Sequence, residues 1–185
     1  MSEFEYLSVI SSLFVAFAVS EILSGWGALI RFRRQVTVYW VHVMASLLTL
    51  IMMIQWWWSA WEYKGVPVNL FQFFVMLLPA FTMVLLAQVL TPRLSDETAF
   101  DGRKYYYENR KWMYFLAALT IVEFGLSDFV IMKSPLLGID NAIRAAAGLL
   151  LCSLGMSSSE RYHEIVLSLV GLLLLSFMGL VTLSL

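Results

Sequence analysis

Four ionisable side chains sit where an apolar chain has least reason to put them. Glu21, beside Ser20, lies in the apolar stretch 13–28, and Glu123 lies in the middle of 114–132. His42 and Arg144 each stand early in the apolar stretch that follows. A charge in hydrocarbon costs about 2.5 kcal/mol or more, so it persists only with a partner, a bound proton or a wet cavity. A carboxylate facing an imidazole can pass a proton near neutral pH, because histidine is the side chain that changes charge there. The chemistry within reach of Glu21, His42, Glu123 and Arg144 is therefore the handling of a proton, an ion or a small solute inside a bilayer. Small and hydroxyl neighbours add room for water: Ser24 with Glu21, Ser46 with His42, and Ser127 with Glu123 share helix faces at three- or four-residue spacing. Pro79 interrupts a further apolar stretch that also carries Gln88. A proline there frees a carbonyl and bends the helix, as a gate or as a plain kink.

The elements that must position these groups follow from composition. Hydrophobic residues make up 61% of the 185 residues and charged residues 14%. Globular proteins use nearer 45–50% apolar residues, so a lipid-facing exterior is required. The apolar stretches at 6–30, 36–61, 68–91, 112–132, 138–157 and 163–185 each suit a core of about 30 Å at 1.5 Å per residue. The expected fold is all-α, a polytopic six-helix transmembrane bundle forming a single domain over 1–185. A three-helix unit at 1–91, a connection at 92–111 and a second three-helix unit at 112–185 divide it. The connection, with Asp96, Glu97, Arg103, Lys104 and Tyr105 to Tyr107, suits a short helix at the headgroups.

Lys and Arg number nine on the side of the first, third and fifth connections and three on the other. That asymmetry places both termini outside the cytoplasm, in a multi-pass plasma (inner) membrane protein. Trp56, Trp57, Trp58 and Trp61 then form an aromatic belt at the outer interface.

A shift of 102 residues overlays Glu21 on Glu123 and His42 on Arg144 without a gap. Three helices per unit would set the two units in opposite orientations, as an inverted repeat with its site near the midplane. This predicts two charge pairs, Glu21–His42 and Glu123–Arg144. It also predicts that the stripe Ser12, Ala16, Ser20, Ser24 and Ala28 packs inward with Glu21 beside it.

Enzymatic readings find no support. HExxH, GxSxG, CxxC and a glycine-rich phosphate loop are all missing. Two histidines, His42 and His163, without a flanking motif are a weak haem signal, and no cofactor or metal is expected. The segment from Glu160 to Glu164 reads as a charged helix start, and Cys152 as a spectator thiol. With a net charge of −1 and no basic run suited to phosphates, nucleic acid is excluded as a partner.

The tracts YLSVI, SEILSG, WVHVMASLL and WWWSAW resemble uncharacterised small polytopic bacterial membrane proteins over the first third of the chain. That resemblance implies no activity. The expected function is a small transporter or channel for a proton, ion or small solute. The alternative is a membrane-embedded interaction subunit, receptor or effector whose charges only lock helices together. The expected partners are the lipid bilayer and either a second copy or another membrane protein.

Overall fold

A computed structural model of the chain describes residues 3–94, 99–135 and 138–180. Its helices are α1 (Glu3–Arg31), α2 (Trp40–Ser59), α3 (Leu70–Leu90), α4 (Gly102–Ser127), α5 (Ile139–Met156) and α6 (Glu160–Leu180). A 3₁₀ turn, Ala60–Tyr63, extends α2, and a π-helical turn, Asp128–Met132, extends α4. Short strands β1 (Val36–Thr37) and β2 (Phe100–Asp101) pair in parallel and tie the α1–α2 connection to the start of α4.

At the starts of α3 and α4 a side chain takes over backbone groups that a terminus leaves unpaired. Asn69 and Gln72 form a reciprocal capping box on α3, each side chain bonding the other's backbone N–H at 2.9 Å. The Asp101 carboxylate caps α4 by accepting from the backbone N–H groups of Arg103 and Lys104. At the far end of α4 the π turn stops at Lys133, in the left-handed region at φ 55°, and Ser134 donates back to the Asp128 carbonyl.

The helices alternate in direction. Trp26 meets Ser46 and Trp57 meets Ser12, so α1 and α2 are antiparallel. Phe14 meets Phe81 and Gly25 meets Thr91, so α1 and α3 run parallel side by side. Thr82 with Glu123 and Tyr105 with Val89 set α4 antiparallel to α3. One end of the bundle carries Arg31, Arg33, Arg34 and Arg103, and the other carries Trp57, Trp58 and Trp61. We call these the arginine end and the tryptophan end.

Four of the described helices are long and apolar enough to cross a membrane: α1, α2 with its 3₁₀ turn, α3, and α4 with its π turn. Their outward side chains, such as Phe17 and Val122, are 61% and 64% exposed, which suits lipid and not water. Six equivalent spans are not what the structure presents. With only 18 residues, α5 carries Asp140 and Arg144 in its first turns, and α6 opens with Glu160, Arg161, His163 and Glu164.

Two further expectations change. Residues 102–111 are the first turns of α4 and not a separate headgroup helix, because Tyr105, Tyr106 and Tyr107 all find partners inside the bundle. Asp96 and Glu97 lie outside the described residues. The halves also differ in packing: α1 lies mainly against α3, whereas its counterpart α4 lies against both α3 and α5 and meets α6 through side chains, Tyr106 with His163 and Arg103 with Glu160.

Among the described glycines, Gly102 is where another stretch of backbone comes closest. A Cβ there would lie 2.8 Å from the Thr37 carbonyl oxygen and 3.1 Å from the Tyr39 nitrogen. Both are backbone atoms, one in β1 and one at the start of α2, so they cannot swing aside as a side chain can. Gly102→Ala should therefore destabilise the detergent-solubilised protein by about 1–3 kcal/mol in a chemical unfolding titration. An unchanged midpoint would show that the β1–α4 contact is not tight.

Candidate solute-binding cavity

The groups singled out by their placement in apolar stretches do not converge. Glu21 is half-exposed, and its carboxylate has no hydrogen-bond or ion-pair partner among the described residues. The buried face of α1 is Ser11, Val15, Ala18, Ile22 and Gly25, spaced alternately by four and three. Steps of four alone advance about 40° each around the helix. The stripe from Ser12 to Ala28 consequently winds off that face, leaving Ala16, Ser20 and Ser24 exposed. It does not pack inward.

His42 is buried, but its partner is backbone. Its Nε2 lies 2.7 Å from the Leu90 carbonyl oxygen, so Nε2–H donates to a carbonyl that the end of α3 leaves free. The Glu21–His42 pair does not form. Ser46, on the same face, accepts from the Trp26 indole N–H at 2.9 Å and donates to the Val43 carbonyl.

Glu123 is buried, 8% exposed, and accepts from the Thr82 hydroxyl at 2.9 Å; its second oxygen meets no donor. Arg144 does not reach it. The guanidinium pairs instead with Asp128 at 2.5 Å and donates to the Asn141 side chain at 3.1 Å. A long cation near a helix start extends toward the polar end of the bundle rather than the middle, and Asp128 waits there. The Glu123–Arg144 pair is replaced by Asp128–Arg144.

Pro79 and Ser127, two secondary candidates, answer each other. Pro79 has no N–H to give the Val75 carbonyl four residues back. The Ser127 hydroxyl lies 3.2 Å from that oxygen and 2.9 Å from the Glu123 carbonyl, and donates to them. In hydrocarbon no water can take this role. Gln88 is exposed on α3, away from all of these.

What the structure does gather is a cavity of about 370 Å³ between α2, α4, α5 and α6, closed at the arginine end by Leu86 and Leu90 of α3. It runs alongside α2 from Ala45 to Ser59, about 20 Å at helical rise. Its walls are apolar for most of that length, with Leu48, Met52, Met113, Ile121, Leu151 and Leu167 among them. The buried Trp56 belongs to this wall, stacked on Phe124 with centroids 6.2 Å apart, rather than to the outer belt.

At the tryptophan end the lining turns polar. Asp128 is bonded twice, by Arg144 and by the Tyr63 hydroxyl at 2.6 Å. Glu62 and Asp140 complete this mouth, close enough that Glu62 feels both carboxylates and the guanidinium. Of the four ionisable candidates only Arg144 lines the cavity. No family model matches the sequence, no curated protein matches it, and no solved structure matches the fold.

Below the cavity lies a plug of aromatic rings. Tyr114, at the cavity floor, is joined to Tyr106 at 2.6 Å, and Tyr106 to His163 Nδ1 at 2.6 Å. His163 Nε2 lies 3.0 Å from the Ser157 carbonyl, which only accepts, so in the neutral ring Nε2 carries the proton. The donors therefore run Tyr114 to Tyr106 to His163 to Ser157. Tyr39 and Tyr107 pack around them, and Arg110 donates to the same Ser157 carbonyl. Tyr106 and His163 are both fully buried.

Sequence reasoning missed Asp128, Tyr63, Tyr106 and His163 as site or plug residues. Asp128 had a signal: a second acid inside the apolar stretch 112–132, five residues beyond Glu123. The tyrosines had none, because their partners come from distant helices.

The Pro79–Ser127 relationship can be measured as a double-mutant cycle. Ser127→Ala alone should cost about 1 kcal/mol, since it strands the Val75 carbonyl. In a Pro79→Ala background, where residue 79 supplies its own N–H, the same change should cost much less. Equal costs in both backgrounds would separate the two residues.

Proposed function

We propose that this chain is a membrane protein that receives a small solute into the cavity between α2, α4, α5 and α6, as the binding step of a small transporter. The observation that supports this reading is the combination within one cavity of an apolar shaft and a charged, hydrogen-bonded mouth. Small-molecule sites share that pattern: mostly apolar walls, a few placed polar groups, and roughly 300–1,000 Å³. A bundle that used its charges only to lock helices would have no need of such a space. In this reading the charged mouth at the tryptophan end is the entrance, and the tyrosine plug is the closed side.

Access to the shaft distinguishes the readings. With Cys152→Ser as background, Ala117→Cys places one thiol in the cavity wall and Phe115→Cys places one on the exposed flank. A charged, membrane-impermeant methanethiosulfonate applied to sealed vesicles should modify position 117 quickly from the tryptophan end. Modification from the arginine end should be slower yet measurable, as a carrier that opens alternately requires. Position 115 should stay unreactive. Reaction from the tryptophan end alone would contradict transport while keeping a binding pocket, and reaction from neither end would contradict the pocket itself.

A further inference from the structure

The mouth of the cavity carries more negative charge than it can satisfy, and this points to the class of ligand. Three carboxylates, Glu62, Asp128 and Asp140, line it against the single guanidinium of Arg144. Asp128 takes that guanidinium and the Tyr63 hydroxyl. Glu62 and Asp140 have no hydrogen-bond or ion-pair partner among the described residues, and both are exposed at the mouth. Among the described residues no group of three or more His, Cys, Asp or Glu is placed to hold a metal ion. The excess charge therefore suits an organic cation and not a coordinated ion.

Resting on the reading of the cavity as a binding site, we propose that its ligand is an elongated amphiphilic cation. An ammonium head would sit at Glu62 and Asp140, with an apolar tail in the shaft. Three features converge on it. Like charges facing each other attract a counter-charge, and low-dielectric walls strengthen that attraction. The rings of Trp56 and Tyr63 stand in the lining near the mouth, where an ammonium group gains from an aromatic face. The walls below are mostly apolar, Leu48, Met52 and Ile121 included; Thr49 and Tyr114 turn their hydroxyls to protein partners, which leaves Gln55 as the polar side chain a tail would pass. An anionic amphiphile would meet three carboxylates at the mouth against one guanidinium, which is already paired with Asp128.

The test uses the full chain in nanodiscs of zwitterionic lipid, with radiolabelled dodecyltrimethylammonium as the probe and empty nanodiscs as the blank. Saturable binding is expected, displaced by unlabelled probe and not by dodecanesulfonate at the same concentration. Glu62→Gln with Asp140→Asn should weaken it about tenfold or more. Ala117→Trp, or Ile121→Trp if the first does not fold, should abolish it by filling the shaft. Equal competition by the sulfonate, or affinity unmoved by the double variant, would overturn the ligand class. Thiol modification at position 117 would then still stand for the cavity. Binding that survives the tryptophan substitutions would place the probe elsewhere and overturn the proposal outright.

Discussion

Within hydrocarbon there is no water to pair a polar group, so a buried polar atom in this bundle is stabilised by a partner in the protein, and among the described side chains the second oxygen of Glu123 is the exception. That constraint explains more of the structure than any single contact. It turns His42 toward the end of α3, where the Leu90 carbonyl has no N–H of its own. It sets Ser127 opposite the gap that Pro79 opens in α3. It links two tyrosines to His163 so that three polar side chains share one line of donors. In each case the side chain satisfies backbone or closes a seam between helices.

Charge is treated differently from hydrogen-bonding capacity. The closest ion pair near the apolar interior, Arg144–Asp128, lies at the tryptophan end, where both side chains keep about a quarter of their surface exposed. There the cost of burial is smallest and a hydroxyl from Tyr63 can help. The carboxyl of Glu123, deeper on α4, has Thr82 alone. The consequence is an apolar shaft with charged side chains at one end and a hydrogen-bonded aromatic plug at the other.

The helices were legible from the sequence because apolar length and charged breaks are local properties. All six apolar stretches match helices, and the largest displacement, at the start of α4, occurs where Asp101 caps a helix earlier than hydropathy indicates. Partner choice was not legible. Whether Glu21 faces inward depends on the rotation of α1, which is set by its packing on α3 through Gly25 and Thr91. Matched depth made Glu21–His42 and Glu123–Arg144 plausible, but depth leaves rotation about the helix axis free. The unequal packing of the two halves removes the symmetry that would have tied those pairs together.

The central claim is that the bundle holds its cavity mouth together through one charge pair, Asp128–Arg144. Its most direct measurement is the coupling between Asp128→Asn and Arg144→Gln in the stability of the solubilised protein. The account predicts that each change alone is destabilising and that the pair together costs less than the sum, by about 1–3 kcal/mol. Effects that add to within about 0.3 kcal/mol would mean the two residues do not act on each other, and the mouth as described would not exist.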